Sequence, residues 1–140
     1  MGIIIQKKDF RILDKASLLK PIIHCSPDEW VLNSAFSLNV PLAERLLVIK
    51  SKRRAMRMAQ CFQQILSGLS DNIIIKDFDV MFHPDYQIDV LRLLIEQYKV
   101  KPFEVIWPGR YEDGRLIYAE EGYRDYKVFE ISKYDVTVVV

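Results

Sequence analysis

Four titratable side chains crowd one short stretch: Asp77, Asp79, His83 and Asp85. They follow the apolar run Ile73-Ile74-Ile75, which reads as a strand. Open α/β sheets bind ligands beyond the carboxyl ends of their strands. A carboxylate there can hold magnesium or position water, as in a Walker B strand, and an imidazole adds acid–base chemistry. The same acids equally serve as turn and cap residues. No second cluster completes them, so no catalytic residue is assigned. Phosphate binding would also need a cradle of backbone N–H groups, with glycine at the close approaches and a cation. There is no glycine between Gly2 and Gly68. The turn after the first buried strand is Cys25-Ser26-Pro27-Asp28-Glu29, which sets two carboxylates at a helix start where a phosphate would sit. These residues predict no bound nucleotide and no cofactor. His24, Cys25, Cys61 and His83 lack the close paired spacing of a zinc site, so no metal is assigned and both thiols read as reduced and packed.

Two other groups suit binding rather than catalysis. Lys50, Lys52, Arg53, Arg54 and Arg57 place five cations in eight residues with no acid among them. On a continuous helix Lys50, Arg53, Arg54 and Arg57 share one face. Such a stripe can track the phosphates of DNA or RNA, or it can simply be solvated. Trp107, Arg110, Tyr111, Tyr118 and Tyr123 form the second group. These residue types dominate protein interfaces, and they also cover the faces of small sheets. Glu112, Asp113, Glu120, Glu121 and Asp125 crowd the same end of the chain, so basic and acidic regions could also join copies head to tail.

The elements that must position these groups alternate. Residues 7–19 carry a helical pattern that Pro21 ends. Residues 21–25 read as a buried strand. Ser26 caps the next helix, with Pro27 at its first position and Glu29 completing a capping box. Residues 35–40 read as a strand and 42–49 as a helix. Residues 52–67 form a clear amphipathic helix with Ala55, Met58, Phe62, Ile65 and Leu66 on one stripe, stopped at Gly68. The strand 72–77 has unbroken isoleucines, which suggests burial on both faces of a parallel sheet. Pro84-Asp85 opens a helix over 85–99, and 103–107 is the next strand. Beyond it, Asp113-Gly114 marks a turn, and strands at 115–118, 126–131 and 135–140 form an antiparallel tail. The expected class is α/β: a three-layer or two-layer sheet with parallel core strands and an antiparallel C-terminal hairpin, in one domain over 1–140.

Composition agrees with an ordinary globular chain. It has 140 residues, 50% of them apolar and 28% charged, with a net charge of +1. Seven Phe, seven Tyr and two Trp argue against disorder, and the charge balance argues against nucleic-acid binding by net charge alone. Ile3-Ile4-Ile5 is too short for a signal segment and no run approaches a membrane span, so a cytoplasmic location is expected.

The second half of the chain resembles BrxF, the small P-loop-containing protein of type 3 BREX (bacteriophage exclusion) systems. The likeness is carried by Asp79, Phe82, Pro84, Asp89 and Leu91-Arg92-Leu93-Leu94, by Trp107-Pro108-Gly109, and by Leu116, Tyr118-Ala119-Glu120, Gly122 and Tyr126. It spans roughly residues 36 to 135. The family's P-loop and the helix behind it have no counterpart here. The family's first Walker B acid falls on Lys76, which cannot hold magnesium. The resemblance implies a degenerate P-loop-like fold. It also implies membership of an anti-phage defence complex, through binding to its other proteins and without catalysis. The alternative is a small nucleic-acid-binding module using residues 50–57.

Overall fold

The computed structural model describes residues 1–140. Its main sheet has six strands in the order β1-β9-β2-β5-β4-β3, all parallel. They are β1 (Ile3–Ile5), β2 (Ile22–His24), β3 (Phe36–Ser37), β4 (Ile73–Lys76), β5 (Phe103–Ile106) and β9 (Thr137–Val139). A second, antiparallel sheet joins β6 (Arg110–Glu112), β7 (Arg115–Tyr118) and β8 (Lys127–Glu130). The helices are α1 (Lys7–Phe10), α2 (Glu29–Ser34), α3 (Asn39–Leu47), α4 (Arg54–Ser67) and α5 (Val90–Tyr98). No helix is long and apolar enough to cross a membrane.

Register and alternation sort the sheet into two unlike faces. Ile23, Val105, Ile75 and Val138 line up across the strands and join one large cluster with Leu42 and Leu46 of α3, Phe62 and Leu66 of α4, and Leu91 and Leu94 of α5. Phe62 meets Phe103 edge-to-face at 5.4 Å. Three helices therefore cover this face. Ile22, His24, Glu104, Ile74 and Val139 point the other way. Only α1 and α2 cover that side, four and six residues long. Phe10 of α1 packs on Ile22 and Val139 in a small separate cluster.

The second sheet seats itself on the carboxyl end of the first through aromatic rings. Phe82 stacks on Tyr118 at 3.8 Å and 8° and meets Trp107 edge-to-face at 5.7 Å; Phe129 closes the group. Trp107 Nε1 donates to the Ile117 carbonyl at 3.0 Å. Gly109 passes the same carbonyl so closely that any Cβ there would collide with it. Asp113 and Gly114, with φ of 47° and 77°, form the two-residue hairpin turn between β6 and β7.

Several expected boundaries are corrected. The helix over 7–19 is one turn, α1, followed by a 3-10 turn at Lys15–Ser17. The strand over 35–40 is only β3, because Asn39 already begins α3 and Pro41 lies in its first turn, where a missing N–H costs nothing. The helix over 85–99 starts at Val90, with Asp89 as its cap accepting from the Arg92 N–H at 3.0 Å. The last strand is not part of the antiparallel tail. It returns as β9 to lie parallel between β1 and β2.

Candidate functional site

The carboxyl end of the parallel sheet brings the four sequence-picked groups near one edge but commits each to the fold. Asp77, at φ 52°, accepts from Ser37 Oγ at 2.7 Å. Asp79 Oδ1 accepts from Asn39 Nδ2 at 2.9 Å, and Oδ2 from the Tyr118 hydroxyl at 2.9 Å. Asn39 in turn accepts from the Val80 N–H at 2.9 Å, so one asparagine ties α3 to the end of β4. His83 Nδ1 accepts from the Asp85 N–H at 3.2 Å, and Asp85 Oδ1 accepts from Arg124 at 3.1 Å. No three His, Cys, Asp or Glu side chains are grouped so as to hold a metal ion.

The turn after β2 is also tied down. Helix α2 begins at Glu29, and the residue at its cap position is Asp28, not Ser26. The capping box is not made: the Asp28 side chain makes no cap hydrogen bond. It faces α1 instead, where Arg11 Nη2 donates to both its oxygens at 3.0 and 2.9 Å and Lys7 Nζ lies 3.1 Å away. Those hydrogen bonds, from Arg11 first and Lys7 second, hold the Asp28 carboxyl below its usual range. Burial pushes the half-buried Cys25 thiol up to about 12, which keeps it protonated near neutral pH.

The two binding groups are both reshaped. Trp107 and Tyr118 are 4% and 9% exposed, which corrects their assignment as contact residues: they join the two sheets. Arg110, Tyr111 and Tyr123 remain at the surface or partly so, with Tyr123 69% exposed. Arg110 donates to the Ala119 carbonyl and pairs with Glu112 and Glu120. In the basic group, the helix does not run through. Lys50 precedes a 3-10 turn at Ser51–Arg53, and α4 starts at Arg54. Arg54 turns inward and donates to the Leu46 and Ile49 carbonyls at 2.9 and 3.0 Å, closing the end of α3. Lys50, Lys52, Arg53 and Arg57 are exposed and form no ion pair with any carboxylate.

Sequence reasoning missed the most concave part of the molecule. On the thinly covered sheet face, a cavity of about 440 Å³ opens between α1 and α2. Its floor is His24, Ile74, Glu104 and Val139; Phe10 and Arg11 form one wall, Trp30 and Val31 the other. His24 Nε2 lies 2.7 Å from Glu104 Oε1, with side chains 8% and 23% exposed. A smaller cavity of about 200 Å³ adjoins it at Lys15, Asn72 and Glu104 and extends to Lys20 and Tyr98. The one available signal was a charged residue inside an apolar strand, Glu104 between Phe103 and Val105.

Comparison with protein-family models, with curated proteins and with solved structures finds no match to this chain.

Proposed function

We propose that this chain is a P-loop-less relative of the BREX small P-loop protein that works by binding other proteins of an anti-phage defence assembly. The observation that carries the reading is the turn between β2 and α2. Under the resemblance, β2 would lead into the phosphate loop and β4 into the Walker B acid, with β5 between them. At that turn stands Asp28, held by Lys7 and Arg11, where a phosphate would need free N–H groups and a cation. Asp79, the remaining acid, accepts from Asn39 on one oxygen and from Tyr118 on the other. The exposed surface near Tyr123, Arg110 and Tyr111 offers the aromatic and guanidinium groups that anchor partners.

The test is recovery of a tagged chain from its native host under mild salt, with co-purified proteins identified by mass spectrometry. Proteins of a defence system should come with it, and Tyr123→Ala with Arg110→Ala should reduce their yield. Recovery without any defence protein counts against the reading. The purified chain should also show no change of Tm with millimolar Mg-ATP, because a ligand at a hundredfold excess over Kd would add about 2.7 kcal/mol.

A second reading has its own observation. The corner between α3 and α4 carries four exposed cations with no carboxylate partner, Lys50, Lys52, Arg53 and Arg57, and such a corner suits a nucleic-acid backbone.

A further inference from the structure

Glu104 stands where the two cavities of the thinly covered sheet face meet, and it lines both. One of its oxygens faces His24 Nε2 at 2.7 Å; the other has no partner. The Glu104 side chain is 23% exposed, so its second oxygen is open to the groove and free to accept from a ligand. The cations around it are not equivalent. Lys7 and Arg11 are committed to Asp28. Lys15 and Lys20 line the smaller cavity beside Glu104 and pair with no carboxylate; the Lys15 ammonium rests over the Phe10 ring at 4.6 Å. The walls add aromatic surface. Trp30 is 64% exposed at the rim, and Phe10 meets His24 edge-to-face at 5.7 Å. The larger cavity, about 440 Å³, has the size of a small-molecule site.

We propose that this groove binds a small aromatic molecule carrying an N–H donor group at one end and an acidic group at the other. The donor completes Glu104. The ring lies between Glu104 and Lys15, against Trp30 and Ile74, all of which line the larger cavity. The acid meets Lys15, which lines both cavities. The site is independent of the partner surface proposed above, since it uses the opposite face of the sheet from α3, α4 and α5 and none of the residues Arg110, Tyr111 or Tyr123.

Three probes test the assignment: 4-guanidinobenzoate, phenylguanidine and benzoate, titrated into the full chain while tryptophan fluorescence is followed. Trp107 is buried among the aromatic rings between the sheets, so Trp30 is the reporter, and Trp30→Phe identifies its share. The two-ended probe should bind more tightly than either half. Glu104→Gln should weaken both guanidine probes roughly ten- to hundredfold while leaving benzoate within about twofold, as expected for loss of a charged hydrogen bond. Lys15→Ala should do the converse, and Lys15 is exposed, so it decides the matter if Glu104→Gln fails to fold. Absence of binding overturns the proposal. So do equal affinities of the three probes, guanidine binding unchanged by Glu104→Gln, or a fluorescence change that survives Trp30→Phe.

Discussion

Asp79, just past the carboxyl end of β4, accepts from Asn39 with one oxygen and from Tyr118 with the other. Tyr118→Phe isolates that use, because the ring keeps its stack on Phe82. The variant should lose about 1.5–3 kcal/mol in urea denaturation, the range of a hydrogen bond to a charged group. A loss near zero would leave Asp79 free for another partner. Burial first, and Asp79 second, push the Tyr118 hydroxyl far above its ordinary value. The unfolded phenol ionises near ~10 and the folded one does not, so this residue makes stability fall as pH rises past that point. Tyr118→Phe should flatten the alkaline fall. The sequence grouped Asp77, Asp79, His83 and Asp85 by adjacency alone. Their structural partners Ser37, Asn39 and Tyr118 lie about forty positions away, at separations of 40, 40 and 39 residues, where no local pattern reaches. The His24–Glu104 contact spans 80 residues and was invisible for the same reason.

Among the elements, those with strong local signals were legible. Helix α4 shows its stripe, with Met58, Phe62, Ile65 and Leu66 buried, and Gly68 closes it. Strands β4 and β5 and the Asp113-Gly114 turn also stand where the residues put them. The elements that shifted are those decided by distant contacts. Helix α2 starts late because the Asp28 carboxylate serves α1 instead of its own helix. That strap has a pH dependence. The folded Asp28 carboxyl titrates below its unfolded value near ~3.9, so its contribution is complete above that value and fades as pH falls through the lower, folded one. Tm measured against pH should show wild type above Asp28→Asn at pH 7, with the two curves converging below about pH 4. Parallel curves down to pH 2 would mean that α1 is held by Phe10 alone.

For the whole molecule, net charge is uninformative and its distribution is not. The chain sums to +1, while the corner at residues 50–57 holds exposed cations and Glu112, Asp113, Glu120, Glu121 and Asp125 crowd the other end of the chain. If the corner carries nucleic acid, a short DNA or RNA duplex should bind at low salt and release steeply as salt rises. Lys52→Glu with Arg53→Glu and Arg57→Glu should abolish that binding without changing Tm. Arg54→Ala should instead lower stability, because two carbonyls at the end of α3 lose their donor. Binding that survives the triple variant, or none at low salt, ends that reading. The α/β class and the parallel core with its antiparallel hairpin follow from local patterns. The strand order does not, since nothing local says that the last strand inserts between the first two.

That insertion governs the order in which the chain can assemble during synthesis. Strand β1 touches the sheet only through β9, and β9 only later joins β1 to β2. Ile3-Ile4-Ile5 must therefore wait, unpaired, for the valines near position 138 to leave the ribosome. Until then β2, β5, β4 and β3 can gather around α3, α4 and α5, while Ile3-Ile4-Ile5 remains a free apolar strand in the nascent chain. A chain paused before β9 emerges should thus be a client for chaperones at residues 3–5, not at its most recent ones.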